Sequence, residues 1–222
     1  MRFDAIIFDF DGVIVDSEPG ANRVLAAQLT ALGLPTTMEE ALARYCGHRW
    51  SDCVVMIEEQ LGRPPPEDFV ERLVNDGKAE FLATQPVIDG VHGFVEAQGH
   101  RARAIASSNE KDWLDLCLGE IGLAAAFGDH VYSAADLARG KPHPDVYLMV
   151  ADRLGVAPER ALVVEDSVTG VLSGVAAGMQ VAGLLAGGHI GDGHADALHE
   201  AGAHHVVEDY TALDRLIAEL EG

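Results

Sequence analysis

Short apolar runs alternate with stretches of helical spacing along most of this chain, and that alternation constrains its fold more than any other feature. RALVVED (160–166) is apolar on both alternating sets of positions, the pattern of a strand buried on both faces. A helix is predicted over 168–177, a strand over 179–185, a helix over 193–201, a strand over 204–207 and a closing helix over 211–220. Upstream, ARAIASS (102–108) reads as a strand, 110–121 as a helix and GDHVYSA (128–134) as a short strand. Asp145–Leu154 reads as a helix stopped by Gly155, and FDAIIFD (3–9) as the first strand. Strands alternating with helices predict an α/β chain with a doubly wound parallel sheet.

The alternation breaks once. From Glu18 to Thr84, apolar positions such as Val24, Leu25, Leu29 and Leu32, then Val54, Val55, Ile57 and Leu61, then Phe69, Val70, Leu73, Phe81 and Leu82, follow helical spacing. Gly33, Gly47 and Arg63-Pro64-Pro65-Pro66 punctuate them. The expected organisation is an α/β core of residues 1–16 and 87–222, with an all-helical lid at 17–86 inserted after the first strand.

With 222 residues the chain has room for a substantial core. It carries 36 acidic and 15 basic residues, a formal charge of −21. Such a surface repels phosphate backbones and anionic lipid, so neither nucleic acid nor a membrane is an expected partner. Cys46, Cys53 and Cys117 show no paired spacing and read as free thiols in a reducing compartment. With no signal-peptide pattern at the N-terminus, the expected location is cytoplasmic.

In open parallel sheets the ligand crevice lies at the carboxyl ends of the strands, so the residues ending each strand matter most. The first strand runs into Asp9-Phe10-Asp11-Gly12 and the second ends in Ser107-Ser108-Asn109. The third leads to Gly140-Lys141-Pro142, and the fourth ends in Glu165-Asp166-Ser167. On an extended chain Asp9 and Asp11 project to one side, and two close carboxylates need a cation or a proton between them. This inventory suits phosphoryl transfer. The acids can hold Mg²⁺, Lys141 and the Ser107 hydroxyl can cradle phosphoryl oxygens, and one carboxylate can attack phosphorus while its neighbour handles the proton.

FDFDGVIVDSE, the serine closing the 102–107 strand, GKPHPDVY and VVEDSVTGVLSGVAAGM together resemble the haloacid dehalogenase superfamily, on its beta-phosphoglucomutase-like branch. All four motifs occur in the family order, and the resemblance spans essentially the whole chain. It implies a Rossmann-like core with a helical cap. It implies that Asp9 is a nucleophile forming an aspartyl-phosphate, Asp11 a general acid and base, and Ser107 and Lys141 stabilisers of the phosphoryl group. Mg²⁺ would be bound by Asp9, the main-chain carbonyl of Asp11 and Asp166, with Glu165 as a further or outer ligand. Relatives that are dehalogenases lack an aspartate matching Asp11, and phosphonate hydrolysis needs a cap lysine. Lys78, the lone lysine of the helical region, has no context that marks it for that role.

The expected activity is therefore a Mg²⁺-dependent phosphatase acting on a small phosphorylated metabolite, a sugar or sugar-acid phosphate, in a monomer or small homo-oligomer. The alternative from the same branch is a phosphosugar mutase. Mutase relatives carry a histidine early in the first cap helix and a lysine beside the cap glycine. Here that helix begins Asp16-Ser17-Glu18-Pro19-Gly20-Ala21-Asn22, and Cys46 precedes Gly47. A third reading, a non-catalytic binder, does not account for a nucleophile kept beside its acid. Arg49, Glu18, Ser108 and Asn109 are the candidate substrate contacts. Gly170, Gly174 and Gly178 are expected to bring a helix close to the sheet, and Ser167 to cap that helix. His189, His194, His199, His204 and His205 read as structural or surface groups, because steps of five residues do not keep one helical face. Cys46 and Cys53 read as core residues of the lid.

Overall fold

The computed structural model describes residues 2–45, 50–135 and 137–222. The chain divides into two compact units, Met1–Val15 with Val87–Gly222, and Asp16–Pro86. The chain passes from one to the other through two neighbouring segments: Val15 bridges Val87 antiparallel, and the Asp16 amide donates to the Pro86 carbonyl at 3.1 Å.

In the first unit, six strands form a single parallel sheet: β1 (Ala5–Phe8), β2 (Ala102–Ser107), β3 (Val131–Ser133), β4 (Ala161–Glu165), β5 (Gln180–Leu184) and β6 (His205–Val207). Their order is β3-β2-β1-β4-β5-β6. After β1 the chain builds outward to one side through β2 and β3, then returns to build the other side from β4. The direction therefore reverses between β1 and β4, the point at which such sheets open a crevice. The register pairs Phe8 with Val164 and with Ile105, so the residues just past β1 stand level with the ends of β4 and β2.

Both faces of the sheet are covered, which explains why the strands read as continuous apolar runs. On one face Ile7, Ala104, Val163 and Val181 pack against Val146, Tyr147 and Val150 of α8 (Asp145–Leu154) and Val171 of α9 (Val168–Ala176). On the other, the Phe8 ring meets Phe94 of α5 (Val91–Ala97) and Phe127 of α7 (Ala124–Phe127) edge to face, at centroid distances of 6.0 and 5.8 Å. Phe94 in turn packs on Tyr210 of α11 (Tyr210–Glu221). α6 (Lys111–Glu120) and α10 (His194–Glu200) complete the layers. The expected helix at 168–177 packs tightly at Gly174, where a Cβ would lie 2.8 Å from Val181 Cγ2. Ser167 caps it, its Oγ accepting the Gly170 amide at 3.0 Å.

The second unit is all-helical: α1 (Ser17–Ala31), α2 (Met38–Tyr45), α3 (Trp50–Leu61) and α4 (Phe69–Thr84). Leu25, Leu29, Ala41, Tyr45, Cys53, Ile57, Phe69 and Leu73 form its buried core. Cys53 is thus a core residue, and Cys53 and Cys117 are both buried. Cys46 and Arg49 lie outside the described residues. Among the described residues no helix is long and apolar enough to cross a membrane.

Candidate active site

β1 ends at Phe8, so Asp9 and Asp11 belong to the turn beyond the strand, and the side-by-side projection expected of a strand does not govern them. The amides of Ile14 and Val15 both turn back to the Phe10 carbonyl, at 2.8 and 3.1 Å. Gly12 sits inside that turn with φ +71°, and a Cβ there would fall 1.7 Å from Asp166 Oδ2. Only glycine combines that backbone conformation with so close an approach of the Asp166 carboxylate.

The carboxylate of Asp11, expected beside that of Asp9, is not among the acids that converge. One oxygen from each of Asp9, Glu165 and Asp166 lies within 4.8 Å of the other two. Asp11 is held instead by the loop after β2, where Asn109 Nδ2 donates to its Oδ2 at 2.6 Å. That loop is pinned from both sides. Ser107 Oγ, in a residue only 1% exposed, accepts the Asn109 amide at 3.1 Å, and Ser133 Oγ at the end of β3 donates to the Asn109 carbonyl at 2.6 Å. Ser108 is exposed.

Lys141 enters from the loop before α8. Its ammonium donates to Asp9 Oδ1 at 2.7 Å and to Glu165 Oε1 at 2.6 Å, and stands over the Tyr147 ring, 5.0 Å from the centroid. The loop is anchored two residues on, where buried Ser173 of α9 donates to the His143 carbonyl at 2.6 Å.

Glu165 is fully occupied. Oε1 also accepts the Tyr147 hydroxyl at 2.8 Å, while Oε2 accepts the Asp166 amide, the Ser167 amide and the Ser167 hydroxyl at 3.1, 3.0 and 2.9 Å. Five donors meet a group with about four lone-pair directions. Gly170 makes room for it: a Cβ there would lie 1.7 Å from Glu165 Oε1. Gly170 was expected to serve sheet packing, but it faces this carboxylate.

Burial and crowding set the charge states. Desolvation pushes the Asp9 carboxyl well above its ordinary range, Lys141 pulls it back, and Glu165 and Asp166 raise it further. The Asp166 carboxyl is also raised by burial, partly offset by its hydrogen bond with His189. Desolvation works against the Lys141 ammonium, but attraction to Asp9 and Glu165 outweighs it and holds the lysine firmly protonated. Three crowded acids facing one lysine form a cluster with spare negative charge, in which Asp9 and Asp166 offer hard oxygen donors, the chemistry that suits Mg²⁺.

Two groups near the acids escaped sequence reasoning. His189 Nε2 lies 3.1 Å from Asp166 Oδ2, and His194 Nε2 donates to the Asp166 carbonyl at 2.6 Å. The helical-spacing argument did not apply to this pair, since His189 lies in a loop and only His194 is in α10. Tyr147 was readable only as a core position of α8. Glu18 lies in the first turn of α1, in the helical unit, where its Oε2 accepts Asn22 Nδ2 at 3.1 Å.

Comparison with known proteins identifies the family. The sequence pattern of haloacid dehalogenase-like hydrolases matches residues 3–178. Hexitol phosphatase B of Escherichia coli strain K12 is 33% identical over 182 residues, which cover 79% of this chain and 81% of that protein. A phosphorylated carbohydrates phosphatase of Thermotoga maritima is 31% identical over 209 residues, 90% of this chain and 92% of that one. The crystal structure of a hydrolase of the same family from Deinococcus radiodurans R1, with bound phosphate and sodium, superposes with a TM-score of 0.86 at 36% identity, covering 99% and 97% of the two chains. With the matched pattern running from β1 through α9 and the strand ends bearing the acids, the lysine and the serine, this chain belongs to the haloacid dehalogenase-like hydrolases.

Proposed function

We infer that the protein is a divalent-metal-dependent phosphatase hydrolysing a small phosphorylated carbohydrate, with Mg²⁺ as the metal, through phosphorylated Asp9. The observation that carries this reading is the buried Asp9 carboxylate, bonded to Lys141 within a three-acid cluster at the sheet's reversal point. Lys141 opposes the protonation that burial favours and holds the carboxylate in one direction, as a nucleophile requires. The two relatives named above, phosphatases of hexitols and of phosphorylated carbohydrates, support the substrate class.

In this reading Asp9 attacks phosphorus and the bond from phosphorus to the sugar oxygen breaks. Asp11 gives its proton to the departing oxygen. Water then transfers a proton to Asp11 and attacks phosphorus, which releases phosphate and regenerates the Asp9 carboxylate. Asn109 holds Asp11 in place for both transfers. Lys141 and the Ser107 hydroxyl contact the transferring oxygens. Asp9, Asp166 and the Asp11 carbonyl are the metal-holding groups; a bound divalent cation supplies positive charge to the phosphoryl group. Glu165, its oxygens already taken, orients Lys141 and the β4–α9 turn. The helical unit is assigned the cap, from its insertion between β1 and β2.

A panel of sugar and sugar-acid phosphates, incubated with Mg²⁺ and assayed for free phosphate and for isomerised sugar phosphate, tests the reading. Phosphate release from one or more is expected. Phosphate-conserving isomerisation would assign the mutase activity instead, and neither product from any substrate would refute catalysis of this class.

A further inference from the structure

His189 and His194 approach Asp166 from two directions and take hold of different atoms, one the carboxylate and the other the main-chain carbonyl. We propose that His189 is a positioning residue for Asp166, fixing the direction in which that carboxylate offers its lone pairs to a divalent cation, and that His194 anchors the Asp166 backbone for the same purpose. The inference rests on the metal-site reading above.

The placement is built into the chain. The His189 side chain is only 9% exposed, and its ring lies against two glycines. A Cβ on Gly187 would come within 2.7 Å of ring Cε1 and 2.8 Å of Nδ1, and a Cβ on Gly12 within 3.0 Å of Cε1. Both glycines are therefore needed for the ring to reach Asp166. The His194 ring stands edge-on to His189, with centroids 5.9 Å apart, so each imidazole limits the tilt of the other.

The donor directions follow from the acceptors. A carbonyl only accepts, so His194 Nε2 carries the hydrogen; an ionised carboxylate only accepts, so His189 Nε2 does as well. His189 is not among the groups whose ligand atoms converge with Asp9, so it acts on Asp166 rather than joining the cluster. With one oxygen held by the imidazole, the Asp166 carboxylate cannot swing freely, and a cation does not have to order it. Outer partners that orient a ligand in this way typically account for about 10–100-fold in metal affinity.

The test is Mn²⁺ binding to substrate-free protein, followed by electron paramagnetic resonance at one fixed pH, with thermal melting to verify folding. His189→Phe keeps a ring between the glycines and removes the donor; His189→Gln keeps a donor in place of Nε2 and removes the ring. The expected result is Mn²⁺ binding weaker by roughly 10–100-fold in His189→Phe, near wild type in His189→Gln, and weaker in His194→Ala. His189→Leu, also without a donor, replaces His189→Phe if the latter does not fold. Unchanged or tighter binding in the donor-less variant would overturn the proposal, as would equal losses in His189→Phe and His189→Gln. Wild-type protein that binds no Mn²⁺ would instead overturn the metal-site reading on which the proposal rests.

Discussion

Replacing Lys141 with methionine is the perturbation whose consequences the structure specifies most fully. The ammonium is 7% exposed and bonds Asp9 and Glu165 at 2.7 and 2.6 Å. Methionine fills much the same length over the Tyr147 ring but leaves two buried carboxylates facing a third, Asp166, without their cation. Removing one partner from a buried ion pair costs about 3–5 kcal/mol, because the remaining charge stays desolvated. For a chain of 222 residues that corresponds to a melting temperature lower by roughly 6–20 °C.

Protonation is the cheapest relief, and it sets the pH dependence. The folded-state carboxyl of Asp9 is already raised above its ordinary 3.8, and Lys141 is the group that lowers it, so the variant raises it further. The unfolded chain then releases this proton at lower pH than the folded chain does. Stability is therefore highest in acid and falls as pH rises from the ordinary carboxylate range through the folded value. The Lys141→Met deficit should be small at low pH and grow toward alkaline pH. A divalent cation should narrow it, because the variant's uncompensated acids bind a cation more tightly than the wild type's, and each tenfold in affinity is worth about 1.4 kcal/mol. Melting of both proteins across pH, with and without Mg²⁺, measures all three effects. A deficit that is small, independent of pH and insensitive to metal would refute the electrostatic account of the cluster.

Asp11→Asn should lower kcat by about 10²–10⁴-fold with little change in melting temperature, and Asn109→Ala should also lower kcat without destabilising the fold; steady-state kinetics beside melting curves check both. Gly174→Ala should cost about 1–3 kcal/mol through overpacking on Val181. Gly170→Ala should cost more and lower activity as well, because it displaces Glu165 and with it Lys141; urea unfolding and kcat test the pair. Chelation by EDTA should abolish turnover and Mg²⁺ should restore it. Ca²⁺ should not, since its larger, looser coordination misplaces the attacking carboxylate.

The strand–helix alternation was legible because buried parallel strands are continuous apolar runs and because helix ends carry distinct residues. The predicted Asp145–Leu154 helix is α8, closed by Gly155 at φ +66°. α5 and α7 were not anticipated: seven and four residues are too few for a helical period to stand out. Strand ends were overextended at Asp9 and Asp166, where the polar residues belong to turns. The acids, Ser107 and Lys141 could be found because each closes or follows a strand. His189 and Tyr147 could not, since their roles depend on where a glycine-bounded loop and the inner face of α8 come to lie.

The central claim is that Asp9 carries the phosphoryl group, and trapping that group tests it most directly. Protein quenched in acid during turnover of a phosphorylated carbohydrate with Mg²⁺, then reduced with borohydride, should yield a peptide in which the Asp9 carboxyl alone has become an alcohol, as detected by mass spectrometry. The same treatment of Asp9→Asn should yield none and show no turnover, the variant being slower by about a thousandfold or more. Normal phosphate release with no reduced Asp9, or substantial turnover by folded Asp9→Asn, would contradict the account.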